Sequence, residues 1–132
     1  MELHLIAPFT LDGWDAVADP ALDDPAAPTT GRAVLAKTYQ GGALVGTALG
    51  HALTTMGPGG ASYVAQERIT GTLEDRSGTF VLEHGATGGA GSENVLRAAI
   101  VPGSGTGELA GITGIGFLEH GLLTLDITLP DR

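Results

Sequence analysis

Gly121-Leu122-Leu123-Thr124-Leu125-Asp126-Ile127-Thr128-Leu129-Pro130 is the stretch that decides the fold class. Leu123, Leu125, Ile127 and Leu129 alternate with Thr124, Asp126 and Thr128, a period of two that turns one side of an extended strand to a core and the other to water. Pro130 ends the run because it has no N–H to give to a ladder. Reading outward from this segment, alternation recurs between Gly-rich breaks, and the chain divides into eight expected strands near 2–12, 31–40, 43–56, 61–73, 79–86, 93–101, 111–118 and 121–129. Gly41-Gly42 and Met56-Gly57-Pro58-Gly59-Gly60 supply tight reversals, and Glu74-Asp75-Arg76-Ser77-Gly78 a third. A meander of eight strands leaves two open edges unless they join, and joining them removes an aggregation hazard. The expectation is an all-β chain, an eight-stranded antiparallel β-barrel forming a single domain over residues 1–132.

Residues 15–30 interrupt the pattern. They hold three prolines, four aspartates and several alanines, a composition that suits a solvated connection, and the reading is a flexible loop or lid.

Composition narrows the function classes. Six Lys plus Arg stand against 15 Asp plus Glu, a formal charge of −9, which repels phosphate backbones and anionic headgroups and argues against nucleic acid as a partner. Cysteine is absent, which removes disulfides, thiolate metal sites and a thiol nucleophile. No stretch has the length of a bilayer-spanning helix, so no membrane partner is expected, and the N-terminal residues lack the basic and apolar regions of a secretory signal. The expected location is cytoplasmic.

The standard motifs are missing. Gly105-Thr106-Gly107-Glu108-Leu109-Ala110 matches a degenerate dinucleotide loop, yet Gly111 and Gly114 break the helix it would have to open, and Glu108 would oppose a phosphate. His4, His51, His84 and His120 show no metal-ligand spacing, so neither a metal site nor a cofactor is expected. Ser62, Ser77, Ser92 and Ser104 all lack the setting of a nucleophile elbow.

What remains is a set of polar residues that share a parity with apolar neighbours. Lys37 and Tyr39 fall in register with Leu35, Tyr63 and Glu67 with Ala65 and Ile69, and His84 with Phe80 and Leu82, while His51 stands beside Leu49 and Leu53. Burying such groups costs several kcal/mol unless they are paired or functional. Meeting inside, Glu67 would serve as a base or cation stabiliser, Lys37 or His84 would polarise a carbonyl, Tyr39, Tyr63 and His51 would orient a ligand, and Trp14 would close one mouth. The other reading of the same residues is a polar network that only fixes strand register.

Several segments carry a family resemblance. Lys37-Thr38-Tyr39-Gln40-Gly41, Tyr63-Val64-Ala65-Gln66-Glu67-Arg68-Ile69-Thr70-Gly71, Arg76-Ser77-Gly78-Thr79-Phe80-Val81-Leu82-Glu83-His84 and Val101-Pro102-Gly103-Ser104-Gly105-Thr106-Gly107 resemble a bacterial family of small proteins of unknown function with an allene-oxide-cyclase-like, or dirigent-like, barrel. The resemblance runs in order over nearly the whole chain, least over 15–30. It implies a lumen that holds a small, largely apolar organic molecule, with cofactor-independent cyclisation or isomerisation as the chemistry, since such barrels work by orienting a flexible substrate. A competing expectation is a non-catalytic module that forms a homodimer or binds a partner through its outer surface. Gly46, Ala48, Gly50 and Ala52, on one parity of the third strand, fit either: room for a ligand inside or a flat contact outside.

Overall fold

The computed structural model describes residues 1–91 and 95–131. Its eight strands are β1 (Glu2–Ala18), β2 (Thr29–Gly41), β3 (Leu44–Gly57), β4 (Gly60–Leu73), β5 (Arg76–Gly89), β6 (Val95–Ile100), β7 (Thr113–Glu119) and β8 (Leu122–Thr128). Each pairs antiparallel with the next, and β8 returns to β1, so the sheet is a closed ring. The all-β, eight-stranded antiparallel expectation is therefore what the chain adopts. Residues 93 and 94, part of the strand expected near 93–101, lie outside the described residues.

The ring is lopsided. β1 to β5 run 13 to 17 residues each, whereas β6, β7 and β8 have six or seven. β6 and β7 share only the pairs Ala98↔Gly116 and Ala99↔Ile115, and β8 follows β1 only from Glu2 to Pro8. Beyond the bond from Phe9 N–H to the Gly121 carbonyl (2.9 Å), β1 has β2 alone as its strand neighbour. The short β7–β8 hairpin thus leaves a window in the wall, edged by Leu118–Gly121 and the upper part of β1.

The 15–30 loop is shorter than expected, because β1 and β2 extend their hairpin to Ala18↔Gly31. The cause is a β-bulge between Leu11 and Gly13, where the register shifts by one residue. Leu11 faces Lys37 across the ladder and Trp14 faces Leu35, so the inward parity passes from odd to even at Asp12. Asp12 projects outward and accepts hydrogen bonds from Thr10 Oγ1 (3.1 Å) and Thr38 Oγ1 (2.5 Å), which hold the bulge in place. Similarly, Arg76, Ser77 and Gly78 belong to β5, and the reversal narrows to Glu74 and Asp75, with Glu74 at φ 56°.

The lumen is filled unevenly. At the lower end, Leu5, Leu44, Ile69, Leu73, Phe80, Leu82, Leu123, Leu125, Ile127 and Leu129 pack into one cluster. Leu109 and Ile112, from the connection after β6, plug that end and are fully buried. At the upper end the cluster is Ala33, Leu35, Ala52 and Ala65, against which Tyr63 packs. Beyond this cluster an open space is lined by the strand ends, among them Ala16, Val17, Thr30, Thr54 and Met56. No helix in the described residues is long and apolar enough to cross a membrane.

Candidate functional site

A polar layer separates the two clusters. Its centre is Glu67 of β4, with no solvent exposure. Lys37 Nζ donates to Glu67 Oε2 (2.8 Å), His84 Nε2 meets the same oxygen at 2.7 Å, and the Tyr39 hydroxyl donates to Oε1 (2.6 Å). The Tyr63 hydroxyl lies 2.9 Å from His84 Nδ1. Lys37 also sits over the Phe9 ring, 4.3 Å from its centroid. The lower core and this network together leave Glu67 no route to water.

Local sequence explains how the layer assembles. Lys37 and Tyr39 belong to β2 and Glu67 to β4, so their side chains must cross β3. Gly46, Ala48 and Gly50 of β3 face inward opposite Tyr39, Lys37 and Leu35, which settles the small-residue parity as an interior one. Gly50 stands opposite Glu67, and a Cβ there would lie 2.6 Å from the Gln66 carbonyl oxygen and 2.8 Å from Glu67 Cβ. Glycine at 50 keeps the crossing open.

Burial pushes the Glu67 pKa up, but the hydrogen bond from His84, the charge of Lys37 and the hydrogen bonds from Lys37 and Tyr39 outweigh it and hold the carboxyl below its ordinary value. Tyr39 is pushed up by burial first and by the Glu67 charge second, and Tyr63 is raised by the same two causes in the same order. The carboxylate only accepts, so the His84 Nε2 facing it carries hydrogen. Lys37 already balances the Glu67 charge. A neutral ring at His84 keeps the buried layer at zero net charge and leaves Nδ1 to accept from the Tyr63 hydroxyl. Tyr63, His84 and Glu67 then form a relay from phenol to imidazole to carboxylate, with contacts of 2.9 and 2.7 Å.

Two spaces meet this relay. One of about 290 Å³ behind the β7–β8 window is lined by Phe9, Leu11, Lys37, Tyr63, His84 and Leu118, among others. The other, about 630 Å³ at the upper end, is lined by Ala16, Val17, Thr30, Thr54, Met56 and Ala86, among others, with no charged side chain in its wall. Trp14 and Tyr63 border both. Among the described residues no group of three or more His, Cys, Asp or Glu side chains is poised to hold a metal ion.

Five of the residues singled out from sequence, Lys37, Tyr39, Tyr63, Glu67 and His84, therefore come together, and Trp14 joins them at the opening. His51 does not. Its parity on β3 is the outward one, and it lies exposed between Val34 and Gln66 on the outer face, because the even positions of that strand turn inward. Phe9 was missed, although its odd parity with Leu5 and Ala7 placed it inward before the bulge.

No curated protein matches the chain. A crystal structure of a protein of unknown function from Shewanella oneidensis MR-1, a DUF3224 family member, superposes with a TM-score of 0.81 at 28% identity, covering 100% of both chains. The family model described as "Protein of unknown function (DUF3224)" matches residues 5–122, and the chain belongs to that family.

Proposed function

We propose that the upper half of the ring binds a small, largely apolar organic molecule and carries out cofactor-independent isomerisation or cyclisation on it by proton transfer. The observation that carries this reading is the uncharged cavity of about 630 Å³ whose wall shares Trp14 and Tyr63 with the smaller space against the polar layer. Pockets of this kind, mostly apolar with a few convergent polar groups, are the usual setting of small-molecule sites. In the proposed step a ligand proton passes to the Tyr63 oxygen as the phenolic proton passes to His84 Nδ1. Glu67 faces the resulting imidazolium through Nε2–H. The proton then returns to a different ligand atom and the relay resets, so no oxidant, reductant or cofactor enters the balance. The resemblance to allene-oxide-cyclase-like barrels points toward the same class of chemistry. Glu67 acts here through His84, not by touching the ligand. Native mass spectrometry of the purified protein tests the binding reading: an adduct released on denaturation, absent from a cavity-filling Ala86→Trp variant, is expected, and identical bare masses for both would contradict it.

A second reading is favoured by the outer face. Leu49 and Leu53 of β3 are 59% and 63% exposed, and with Val64 opposite Leu53 and Val34 opposite His51 they make an apolar patch bordered by Arg32 and Arg68 that suits a homodimer contact. Sedimentation of the wild type against Leu49→Glu separates the cases: a dimer that dissociates in the variant supports it, and a monomer in both removes it.

A further inference from the structure

We infer that the ligand is an uncharged, lipophilic carbonyl compound, its oxygen held by Lys37 and its apolar body lying between Trp14 and Tyr63. This rests on the binding reading above and adds the ligand's charge and its anchoring group. Lys37 is 5% exposed, yet its side chain lines the space of about 290 Å³ behind the window. An ammonium has three donors. One goes to Glu67 Oε2 at 2.8 Å, and the Phe9 ring, 4.3 Å from Nζ, only covers one flank of the ammonium. The donor capacity that remains faces a space whose other polar groups are Tyr63, His84 and the exposed rim residues Glu119 and His120. An acceptor oxygen is what that donor takes.

Charge then selects among acceptors. Lys37 and Glu67 already neutralise each other, so an added carboxylate would leave a buried site with an unbalanced negative charge. Such a ligand would also approach a chain of formal charge −9. The larger space offers no cation, its polar groups being the hydroxyls of Thr29, Thr30, Thr54, Thr55, Ser62 and Tyr63 and the indole of Trp14. A ketone or aldehyde oxygen draws on the free donor without adding charge. Polarisation of that oxygen by Lys37 acidifies the adjacent C–H, the proton that the Tyr63–His84 relay is placed to receive.

Three matched probes test this: 2-acetylnaphthalene, 2-naphthoate and 2-ethylnaphthalene, the ketone, the anion and the hydrocarbon of one ring system. Trp14 is the single tryptophan and borders both spaces, so its fluorescence reports binding directly, with calorimetry as the check. The ketone is expected to bind about ten-fold tighter than either of the others, the gain of one charge-assisted hydrogen bond. In Lys37→Met/Glu67→Gln, which removes both charges together, the ketone and the hydrocarbon are expected to bind with equal affinity. Circular dichroism confirms that this variant folds; if it does not, the infrared carbonyl stretch of the ketone bound to the wild type serves instead, expected at a lower frequency than in an apolar solvent, with an unshifted stretch overturning the anchor. Naphthoate binding as tightly as the ketone would overturn the charge assignment. Ketone and hydrocarbon binding equally would overturn the Lys37 anchor while leaving the cavity reading standing. No binding by any of the three would overturn both.

Discussion

The two ends of this ring are built from the same alternation and finish in opposite states. Below the polar layer, inward positions are mostly Leu, Ile and Phe, and Leu109 and Ile112 close the end from a loop. Above it, Ala33, Leu35, Ala52 and Ala65 form only a small buried cluster, and beyond them an uncharged space is left open among Trp14, Val17, Thr30, Thr54 and Met56. Period-two hydrophobicity dictates the ring in both halves, but the lower end is plugged by Leu109 and Ile112 from a loop, whereas the upper end opens into a space of about 630 Å³. A buried charge layer sits where the two meet, which ties the relay to the sealed side while Tyr63 and Lys37 reach the open one.

That contrast orders the effects of substitution. The largest is expected at the boundary: Glu67→Ala leaves Lys37 buried without its anion and should cost about 3–5 kcal/mol of unfolding free energy, read by urea titration. Next comes the sealed half, where Leu125→Ala, 1% exposed in the wild type, should cost about 2–5 kcal/mol because the closed end cannot collapse onto the void. In the open half, Ala65→Gly at an inward position should cost about 1 kcal/mol. Trp14→Ala, with the residue 42% exposed, should change stability by less than about 1 kcal/mol while abolishing probe binding. Equal costs for Trp14→Ala and Leu125→Ala would erase the distinction between the halves.

A pH titration sharpens the boundary. Glu67 has a folded pKa below its unfolded value near 4.5, so its contribution is fully present above that pH and is lost as the pH falls through the lower, folded value. Wild-type stability should therefore drop more steeply below about pH 4.5 than that of Glu67→Gln, measured by denaturant unfolding at a series of pH values. Parallel acid limbs would mean the carboxyl is not held ionised by its partners.

Much of the ring was legible in the sequence. Leu123 to Leu129 alternate without interruption, and the inward parities of Lys37, Tyr39, Tyr63, Glu67 and His84 follow from their neighbours alone. Three features were not legible, each for a physical reason. The bulge at Asp12 switches parity inside one strand, so Asp15 to Ala18 read as loop although they are paired with Gly31–Val34. His51 shares its parity with Leu49 and Leu53, and exposed leucines on an outer face look the same in sequence as buried ones. The window depends on the shortness of β7 and β8 relative to β1, a matter of strand length and register that hydrophobicity does not encode.

Crystallography of the protein with 2-acetylnaphthalene bound tests the central claim most directly. The ring system should lie in the upper half between Trp14 and Tyr63, with its oxygen directed to Lys37 Nζ. Density confined to the outer patch around Leu49 and Leu53, with the upper half filled by shifted side chains, would contradict it.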